Sequence, residues 1–380
     1  MTDTPKTILQ ALGVHLEDPL PLFLLAGLAG ERKLLLMGPP GQAKTALARA
    51  LGAALAPGRT RVLDAALTSF DDVRGFVRPG SLEAGRVEVV PGPWSPYDDE
   101  LLFVDELSRA PVHQQSRWLQ LIHDRQVDGL PTRIRWVLAA MNPPSIDGTF
   151  PLGLATVDRF HAVLQIDDFA ELERATRIRI AAGLVAPADV DTPVGDVLRA
   201  WMSRVQRRLD ALSCEHTTRL ALARIAVAAL DAWCGAGAPT RPQGRRAVLL
   251  TELALTLLAG LEVEHGDADL ARQQLGELLD AWLTAGLYAP GRAADLDEAR
   301  LRAAHEAAWR AATRAWEEVF DVRGPRARAV AADADHADRR RTLAVLLEAE
   351  LARPTMDVDT FTRLGLELWR GHHPRLEEGR

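Results

Sequence analysis

The stretch LLLMGPPGQAKTALARAL, residues 34–51, decides the fold of this chain. An apolar run enters a turn rich in glycine and proline, and the chain leaves that turn through Lys44 into an amphipathic segment. In this order, the N–H groups of the turn and the amino end of the helix form a cradle for phosphate oxygens. The stretch therefore predicts a phosphate-binding loop (P-loop) followed by a helix over Lys44–Leu55; a plain strand–turn–helix junction is the alternative.

The predicted loop brings two side chains to a nucleotide. Lys44 is expected to reach the β- and γ-phosphates of ATP, and the Thr45 hydroxyl is expected to bind Mg²⁺. The general pattern has glycine before the lysine, whereas this chain has Ala43. Because alanine disfavours a positive φ by roughly 1–2 kcal/mol, we expect either an ordinary φ or some strain at that residue.

A pair of carboxylates ends the apolar run in ELLFVDELSRA, residues 100–110. With a P-loop about sixty residues earlier, Asp105 is predicted to hold Mg²⁺ together with Thr45. Glu106 is predicted to take a proton from the attacking water or to orient it. Alternatively, the two carboxylates start a helix and complement its dipole. The candidate nucleotide-binding residues are thus Gly38, Pro39, Pro40, Gly41, Gln42, Ala43, Lys44, Thr45 and Asp105.

A later apolar run ends in an amide. It lies in RIRWVLAAMNPPSIDGTFPL, residues 133–152, and Asn142 follows it directly. Ligands of α/β sheets bind at the carboxyl ends of the strands, so we expect this amide beside the acidic pair. There it can hydrogen-bond a γ-phosphate oxygen and the attacking water. The alternative is an asparagine that only ends the strand before two prolines.

Arg159 stands in ATVDRF, residues 155–160, just before the last apolar run of the first half. It could form an ion pair with Asp158 or with another residue of its own chain. It could also reach the nucleotide of a neighbouring subunit as an arginine finger, an interaction worth roughly 10³–10⁵ in rate. The residues alone leave both possibilities open.

Five short apolar runs alternate with helix-like segments up to about residue 166. Such runs fit the strands of a parallel sheet buried on both faces, and the alternation indicates an α/β domain over residues 1–166. A stretch rich in glycine and proline, at about 75–93, predicts an inserted β-hairpin. The five runs are Lys33–Met37, Arg61–Ala65, Leu101–Asp105, Ile134–Ala140 and His161–Ile166.

From about residue 167 the pattern is helical, with apolar residues at three- and four-residue spacing and many alanines and leucines. We expect an all-helical lid over 167–290 and a helical extension over 291–380. The predicted helices are Asp168–Ala182, Pro193–Leu212, Thr217–Cys234, Arg245–Glu264, Ala268–Ala285, Leu296–Phe320, His336–Leu351 and Asp357–Arg370.

The overall composition narrows the function classes. A formal net charge of −7 gives no basic field of the kind that nucleic-acid binders use. No apolar segment reaches the roughly 20 residues that span a bilayer, and the first residues do not resemble a secretory signal. We therefore expect a cytoplasmic protein without membrane contact. Cys214 and Cys234 are expected to be free, buried thiols.

Taken in order, these motifs resemble the MoxR branch of the AAA+ ATPases. The matching stretches are GPPGQAKT at 38–45, DELSRAPVHQQ at 105–115 and AAMNPPSIDGTFPLGLATVDRF at 139–160. The resemblance covers roughly residues 25–280. It implies an AAA+ α/β domain with a helical lid, hydrolysis of ATP with Mg²⁺, and assembly into a homohexameric ring.

The resemblance also implies roles for single residues. Asn142 is expected to be the first sensor of the γ-phosphate, and Arg159 the arginine finger that acts on the neighbouring subunit. The predicted hairpin resembles an insert that faces the pore of the ring. The stretch QGRRAVLL matches the start of the lid helix that usually carries a second sensor arginine, which indicates Arg246, with the adjacent Arg245 as its rival.

The function implied by the resemblance is that of a chaperone that remodels or matures a partner protein, in many relatives one with a von Willebrand factor A domain. A motor on nucleic acid and an ATP sensor without turnover are the alternatives, and the presence of Glu106 argues against the second. Two positions depart from the family pattern: Ser108 replaces a usual asparagine, and Leu154 replaces a frequent glutamate. Neither change is expected to touch the hydrolysis residues, but Leu154 puts a contact between subunits in doubt.

Overall fold

The apolar runs of the sequence form one parallel sheet in the computed structural model of this chain. The structure describes residues 4–83, 85, 88–143, 146, 152, 157–166, 169–170, 172–182, 194–238, 244–287 and 298–320. The sheet consists of β1 (Leu34–Met37), β2 (Thr60–Asp64), β3 (Leu101–Asp105), β4 (Trp136–Met141) and β5 (Ala162–Gln165). Their order is β2–β3–β4–β1–β5, and every neighbouring pair is parallel. The prediction of a five-stranded parallel sheet is therefore confirmed.

Helices flank this sheet and continue into an all-helical second half, which confirms the predicted fold class. The helices before the last strand are α1 (Pro5–Ala11), α2 (Leu20–Ala29), α3 (Lys44–Leu55), α4 (Phe70–Arg74), α5 (Pro79–Glu83) and α6 (Val112–Asp124). The later ones are α7 (Arg174–Ala181), α8 (Val194–Cys214), α9 (His216–Gly235), α10 (Gly244–His265), α11 (Ala268–Glu277), α12 (Leu279–Leu287) and α13 (Glu298–Phe320). Within these described helices, none combines the length and apolar character needed to cross a membrane.

Aromatic side chains pack in the core between the sheet and α6. Trp118 of α6 and Phe70 of α4 are fully buried and meet edge to face, with ring centroids 6.0 Å apart. They share one apolar cluster with side chains of all the strands. An aromatic pair in this geometry contributes about 0.5–1.5 kcal/mol beyond its buried area. This packing fixes α4, and with it the start of the inserted hairpin, against the sheet.

The predicted hairpin is present, but it contains a helix that the sequence did not indicate. Phe76 pairs with Val90 and Val77 with Val89 in an antiparallel arrangement. Gly75 precedes the hairpin with φ of +85°, and a Cβ there would lie 2.5 Å from the Val90 carbonyl oxygen. Only glycine therefore allows the two strands to close at this point. That helix, α5, lies between the two strands of the hairpin.

The helical half departs from the predicted segments in two places: the first helix begins at Arg174 rather than at Asp168, and one predicted helix is broken. The predicted single helix Ala268–Ala285 is wrong, because α11 ends at Glu277 and α12 begins at Leu279. Gly276 lies in the last turn of α11, and Trp316 of α13 packs so closely that a Cβ at Gly276 would lie 2.7 Å from its indole nitrogen. Glycine favours the break, since it is a poor helix former. The predicted helices His336–Leu351 and Asp357–Arg370 lie outside the described residues.

Helix α2 is buried on all sides. Its residues from Pro21 to Ala29 are nearly inaccessible to solvent, which is the arrangement expected of a helix that is apolar all round. It packs against α8 and α10 and also touches β5. Helix α2 therefore contacts both parts that the predicted boundary at residue 166 separates, and that boundary stays a prediction. Cys214 and Cys234 are free, as expected, but both are exposed, so their predicted burial is wrong.

A buried polar network joins α10 to the amino edge of the sheet. Glu252 of α10 accepts hydrogen bonds from Arg32 at 3.0 Å and from His161 Nε2 at 3.0 Å. The other ring nitrogen of His161, Nδ1, accepts from the Lys33 backbone N–H at 3.1 Å. This contact fixes the neutral tautomer with its proton on Nε2. Burial lowers the pKa of His161 to about 4, although Glu252 opposes that shift.

We expect this network to make the protein less stable in weak acid. The unfolded chain protonates His161 near its ordinary pKa of about 6.5, whereas the folded chain keeps the ring neutral down to about 4. Between these values the unfolded state binds more protons, so the free energy of unfolding falls as the pH falls, by up to about 3 kcal/mol. Glu252 acts in the same direction, because the His161 hydrogen bond lowers its pKa.

Urea denaturation between about pH 7 and pH 4.5 measures this dependence. A His161→Gln chain should show a clearly smaller slope of unfolding free energy against pH. An unchanged slope in that variant would assign the acid sensitivity to other groups.

Candidate nucleotide-binding site

The P-loop connects β1 to α3 through two residues in the left-handed region. Gly41 has φ of +89°, and Ala43, immediately before Lys44, has φ of +54° and ψ of 20°. Of the two alternatives for Ala43, the structure therefore shows the strained one, at a cost of roughly 1–2 kcal/mol. Glu106, at the end of β3, is also left-handed, with φ of +53°. Strain of this kind is concentrated at functional sites.

The Lys44 side chain is hydrogen-bonded to the P-loop backbone. Its Nζ donates to the carbonyl oxygens of Gly38 at 2.6 Å and Pro39 at 2.8 Å, and lies 3.4 Å from Asn142 Oδ1. Burial lowers the pKa of Lys44, and the charges of Asp105 and Glu106 oppose that shift. The ammonium group is thus kept beside the carboxyl edge of the sheet, where a phosphate would meet it.

A hydroxyl and a carboxylate come together next to Lys44. Thr45 Oγ1 donates to Asp105 Oδ2 at 2.5 Å, although the two residues are 60 positions apart in the chain. Mg²⁺ is usually held by one or two protein oxygens together with phosphate oxygens and water, so a hydroxyl beside a carboxylate fits it. Among the described residues, no group of three or more His, Cys, Asp or Glu side chains could hold a metal alone. This pair is therefore suited to a metal that arrives with the nucleotide.

Glu106 and Asn142 form the next contact along the same edge. Asn142 Nδ2 donates to Glu106 Oε2 at 2.8 Å, and Arg109 Nε lies 3.4 Å from the same oxygen. The Asn142 backbone N–H donates to Ser108 Oγ at 3.3 Å. The expectation that Ser108 lies apart from the hydrolysis residues is thus wrong, because its hydroxyl holds the residue predicted as the first sensor. Leu154 lies outside the described residues.

The loop also carries buried polar atoms that suit a nucleotide. Both side-chain polar atoms of Gln42 are buried and have no hydrogen-bond partner within the part of the chain that the structure describes. A Cβ at Gly38 would collide with the Gln42 side-chain oxygen, so glycine keeps the loop narrow at that point. Buried polar groups without partners cost about 1–3 kcal/mol each, and a bound ligand can satisfy them. The residues present therefore fit a nucleotide with its metal.

We expect Thr45→Ala to weaken the use of Mg²⁺. The variant should need roughly 10–100-fold more Mg²⁺ for half-maximal binding of a fluorescent ATP analogue, since a contact to a charged group contributes about 1.5–3 kcal/mol. Titration of Mg²⁺ into the protein and analogue measures the shift. Thr45→Ser keeps the hydroxyl and should bind like the unchanged protein. Equal Mg²⁺ requirements in Thr45→Ala and Thr45→Ser would remove Thr45 from the metal site.

Three arginines with predicted roles lie at the amino edge of the sheet, opposite the P-loop. Arg159 precedes β5, whose first residue pairs with the first residue of β1, so it stands at the amino ends of the strands. Arg246 is buried against residues 157–160 and donates to Asp158 Oδ1 at 2.9 Å. Arg245 is exposed, and its charge acts on Lys33, which precedes β1. The structure thus brings together Lys44, Thr45, Asp105, Glu106 and Asn142, but not these arginines, and their roles stay predictions.

Comparison with known proteins agrees with this site. Residues 33–162 match the family model described as ATPase family associated with various cellular activities (AAA). A solved structure of a candidate ATPase from Cytophaga hutchinsonii is similar, with 20% sequence identity and a TM-score of 0.47. That similarity covers 69% of this chain and 80% of the other. No curated protein matches the sequence.

Proposed function

We propose that this chain is a MoxR-like AAA+ ATPase that works as a homohexameric ring, because residues 33–162 match the model of an ATPase family. In this proposal, hydrolysis of Mg–ATP remodels a partner protein. The observation that carries it is the position of Arg159 relative to the P-loop, since the two lie at opposite edges of one sheet. A strand of four residues is about 13 Å long, so the two ends of β1 are well separated. This separation supports the proposal that Arg159 acts on a nucleotide other than that of its own subunit.

The charges around Arg159 support the same assignment. Lys33 Nζ donates to His123 Nδ1 at 3.0 Å at this edge of the sheet. Burial lowers the pKa of His123 and the Lys33 charge lowers it further; Asp124 opposes the shift, and Arg159 and Arg245 add smaller lowering effects. Several cations thus lie near one another, and Arg159 Nε is buried without a hydrogen-bond partner among the described residues. The phosphates of a neighbouring subunit would provide the complementary charge. A head-to-tail contact of this type forms a ring when the rotation between successive subunits closes.

Each residue of the P-loop edge has a distinct task in hydrolysis. Lys44 binds the phosphate oxygens, and its burial strengthens that attraction because water is excluded. Glu106 accepts a proton from the attacking water, while the Asn142 amide holds the Glu106 carboxylate in place at 2.8 Å. Thr45 and Asp105 would hold Mg²⁺, which when bound neutralises negative charge on the phosphates. The partners Ser108 and Arg109 keep Asn142 and Glu106 oriented.

Exposed apolar side chains of the hairpin support the proposal that the substrate is a protein. Phe76 and Val90, which pair with each other across the hairpin, are 66% and 41% exposed, and Trp94 shortly after Val90 is 48% exposed. Exposed apolar side chains grouped in this way suit contact with a polypeptide. We propose that they meet the partner protein, which by the resemblance to MoxR-like ATPases would contain a von Willebrand factor A domain.

The arginines near the hairpin do not favour nucleic acid. Arg74 lies 3.5 Å from Asp71 and from Asp128, and Arg78 lies 3.3 Å from Glu88. A groove for single strands would instead combine free basic groups with aromatic stacking surfaces. Paired charges of this kind leave little positive field to attract phosphates. A protein partner therefore fits this surface better than a nucleic-acid strand.

The dependence of ATPase rate on protein concentration tests the ring. If the active site is shared between subunits, the rate per subunit rises with concentration and levels off as the hexamer forms. The mass in solution, measured by light scattering across the same concentrations, should rise in parallel. A constant rate per subunit in a protein that stays monomeric would contradict the proposal. Stimulation by added single-stranded DNA that disappears at high salt would favour the nucleic-acid alternative.

A further inference from the structure

Arg246 of α10 is bound by the segment that carries Arg159. Its Nε donates to Asp158 Oδ1 at 2.9 Å, one terminal nitrogen donates to the Phe160 carbonyl at 2.9 Å, and the other donates to the Val157 carbonyl at 3.1 Å. The side chain is 7% exposed. Each nitrogen of the guanidinium group thus donates one hydrogen bond to the short segment that contains Arg159.

This arrangement does not suit a residue that senses its own nucleotide. Three of the five N–H groups of Arg246 are already bonded, and a side chain that is 7% exposed leaves little surface for a phosphate to reach the other two. Arg246 also lies at the amino edge of the sheet, whereas the P-loop of the same subunit lies at the carboxyl edge. The geometry favours a partner that is already present, namely the 157–160 segment.

Helix α10 holds the chain on both sides of Arg159. Arg246 binds residues 157, 158 and 160, and Glu252, further along the same helix, binds His161. Two contacts from one helix fix both the position and the direction of a short turn. A shift of α10 would therefore move the turn that carries Arg159.

We propose that Arg246 is a positioning residue that holds Arg159 in the direction needed to act on the neighbouring subunit. Helix α10 then links the helical part of one subunit to hydrolysis in the next. This inference rests on the proposed function, because it requires that Arg159 act between subunits. It differs from the second-sensor role that the sequence resemblance implies, in which Arg246 would act on the nucleotide of its own subunit.

Mixed rings separate the two roles. Consider a ring that combines Arg246→Ala subunits with Glu106→Gln subunits. At some of its sites the Arg246→Ala subunit provides an intact Glu106, and its Glu106→Gln neighbour provides an intact Arg159 and Arg246. If Arg246 acts on Arg159, those sites are complete and activity returns. With equal amounts, roughly a quarter of the sites are complete, because a cyclic ring presents the four possible pairings equally often. If Arg246 acts within its own subunit, no site is complete and activity stays lost.

The ATPase rates of the single variants are the reference for the rates of the mixed rings. Arg246→Ala alone should lower kcat about a hundredfold, the loss expected from a small misplacement of a reacting group. Its affinity for a fluorescent ATP analogue should stay unchanged. Arg208→Ala is the matched control. Arg208 of α8 forms an ion pair with Glu262 of α10, away from the 157–160 segment. That control should keep the ATPase rate of the unchanged protein.

A second mixture distinguishes failure of this inference from failure of the proposed function. Arg159→Ala mixed with Glu106→Gln must regain activity if the finger acts between subunits at all, and its failure would overturn the proposed function. Recovery in that mixture without recovery in the Arg246→Ala mixture would overturn the role of Arg246. So would a normal rate for Arg246→Ala alone. If Arg246→Ala does not fold, Asp158→Asn weakens the same contact and takes its place in every mixture.

Discussion

Replacing Arg159 with alanine is expected to lower the turnover of ATP by roughly 10³–10⁵-fold, the range known for arginine fingers. The loss should affect kcat, because the guanidinium group stabilises charge that develops only in the transition state. Binding of a fluorescent ATP analogue should stay unchanged, since Arg159 lies at the edge of the sheet away from its own P-loop. Steady-state hydrolysis at a protein concentration that saturates assembly measures the effect.

Two control variants accompany Arg159→Ala. Arg159→Lys keeps the charge without the planar fork, and should regain only a small part of the rate. Arg133→Ala removes an exposed arginine of the same domain that pairs with Asp98, and should hydrolyse ATP normally. If Arg159→Ala also kept a normal rate, the finger would be structural, and a ring with shared active sites would have to be abandoned.

Glu106→Gln is expected to lower the rate of hydrolysis by roughly 10²–10⁴-fold while ATP stays bound. The amide cannot accept a proton from the attacking water, but it has nearly the same shape and can still accept a hydrogen bond from Asn142. Single-turnover hydrolysis with excess protein separates this chemical defect from a defect in binding.

The matched control for Glu106→Gln lies at the opposite end of the same strand. Glu100 precedes β3 and forms an ion pair with Arg59, far from the P-loop edge. Glu100→Gln removes one carboxylate charge in the same way, and should hydrolyse ATP at the normal rate. A Glu106→Gln protein that turns over as fast as Glu100→Gln would remove Glu106 from its role as the base.

The elements nearest the P-loop could be predicted because their signals are local. The helix Lys44–Leu55 and the strand Leu101–Asp105 have the bounds that the sequence indicates. Apolar runs ended by glycine, proline or charge need no knowledge of distant residues to be recognised as buried strands. The meeting of Thr45 with Asp105 follows once both are placed at the carboxyl edge of one parallel sheet.

The features that the sequence did not predict depend on contacts between distant residues. Ser108 binds Asn142 across 34 positions, and Arg246 binds Asp158 across 88. Nothing in the residues around Arg246 distinguishes a guanidinium group that faces a phosphate from one that faces a carboxylate of its own chain. The close approach of Trp316 to Gly276, next to the helix break before α12, is likewise visible only in the packed structure.

The contacts of helix α2 limit which fragments of this chain can fold. The matched segment starts at residue 33, after α2, and ends at residue 162, before α8 and α10. A fragment with those limits would end at the first residue of β5 and lack α2, α8 and α10, so β1 would lose one of the two strands that pair with it. We therefore expect such a fragment to aggregate rather than to melt in a single transition. We expect the smallest fragment that folds on its own to include the amino-terminal helices and the chain through at least α12, which packs against β5.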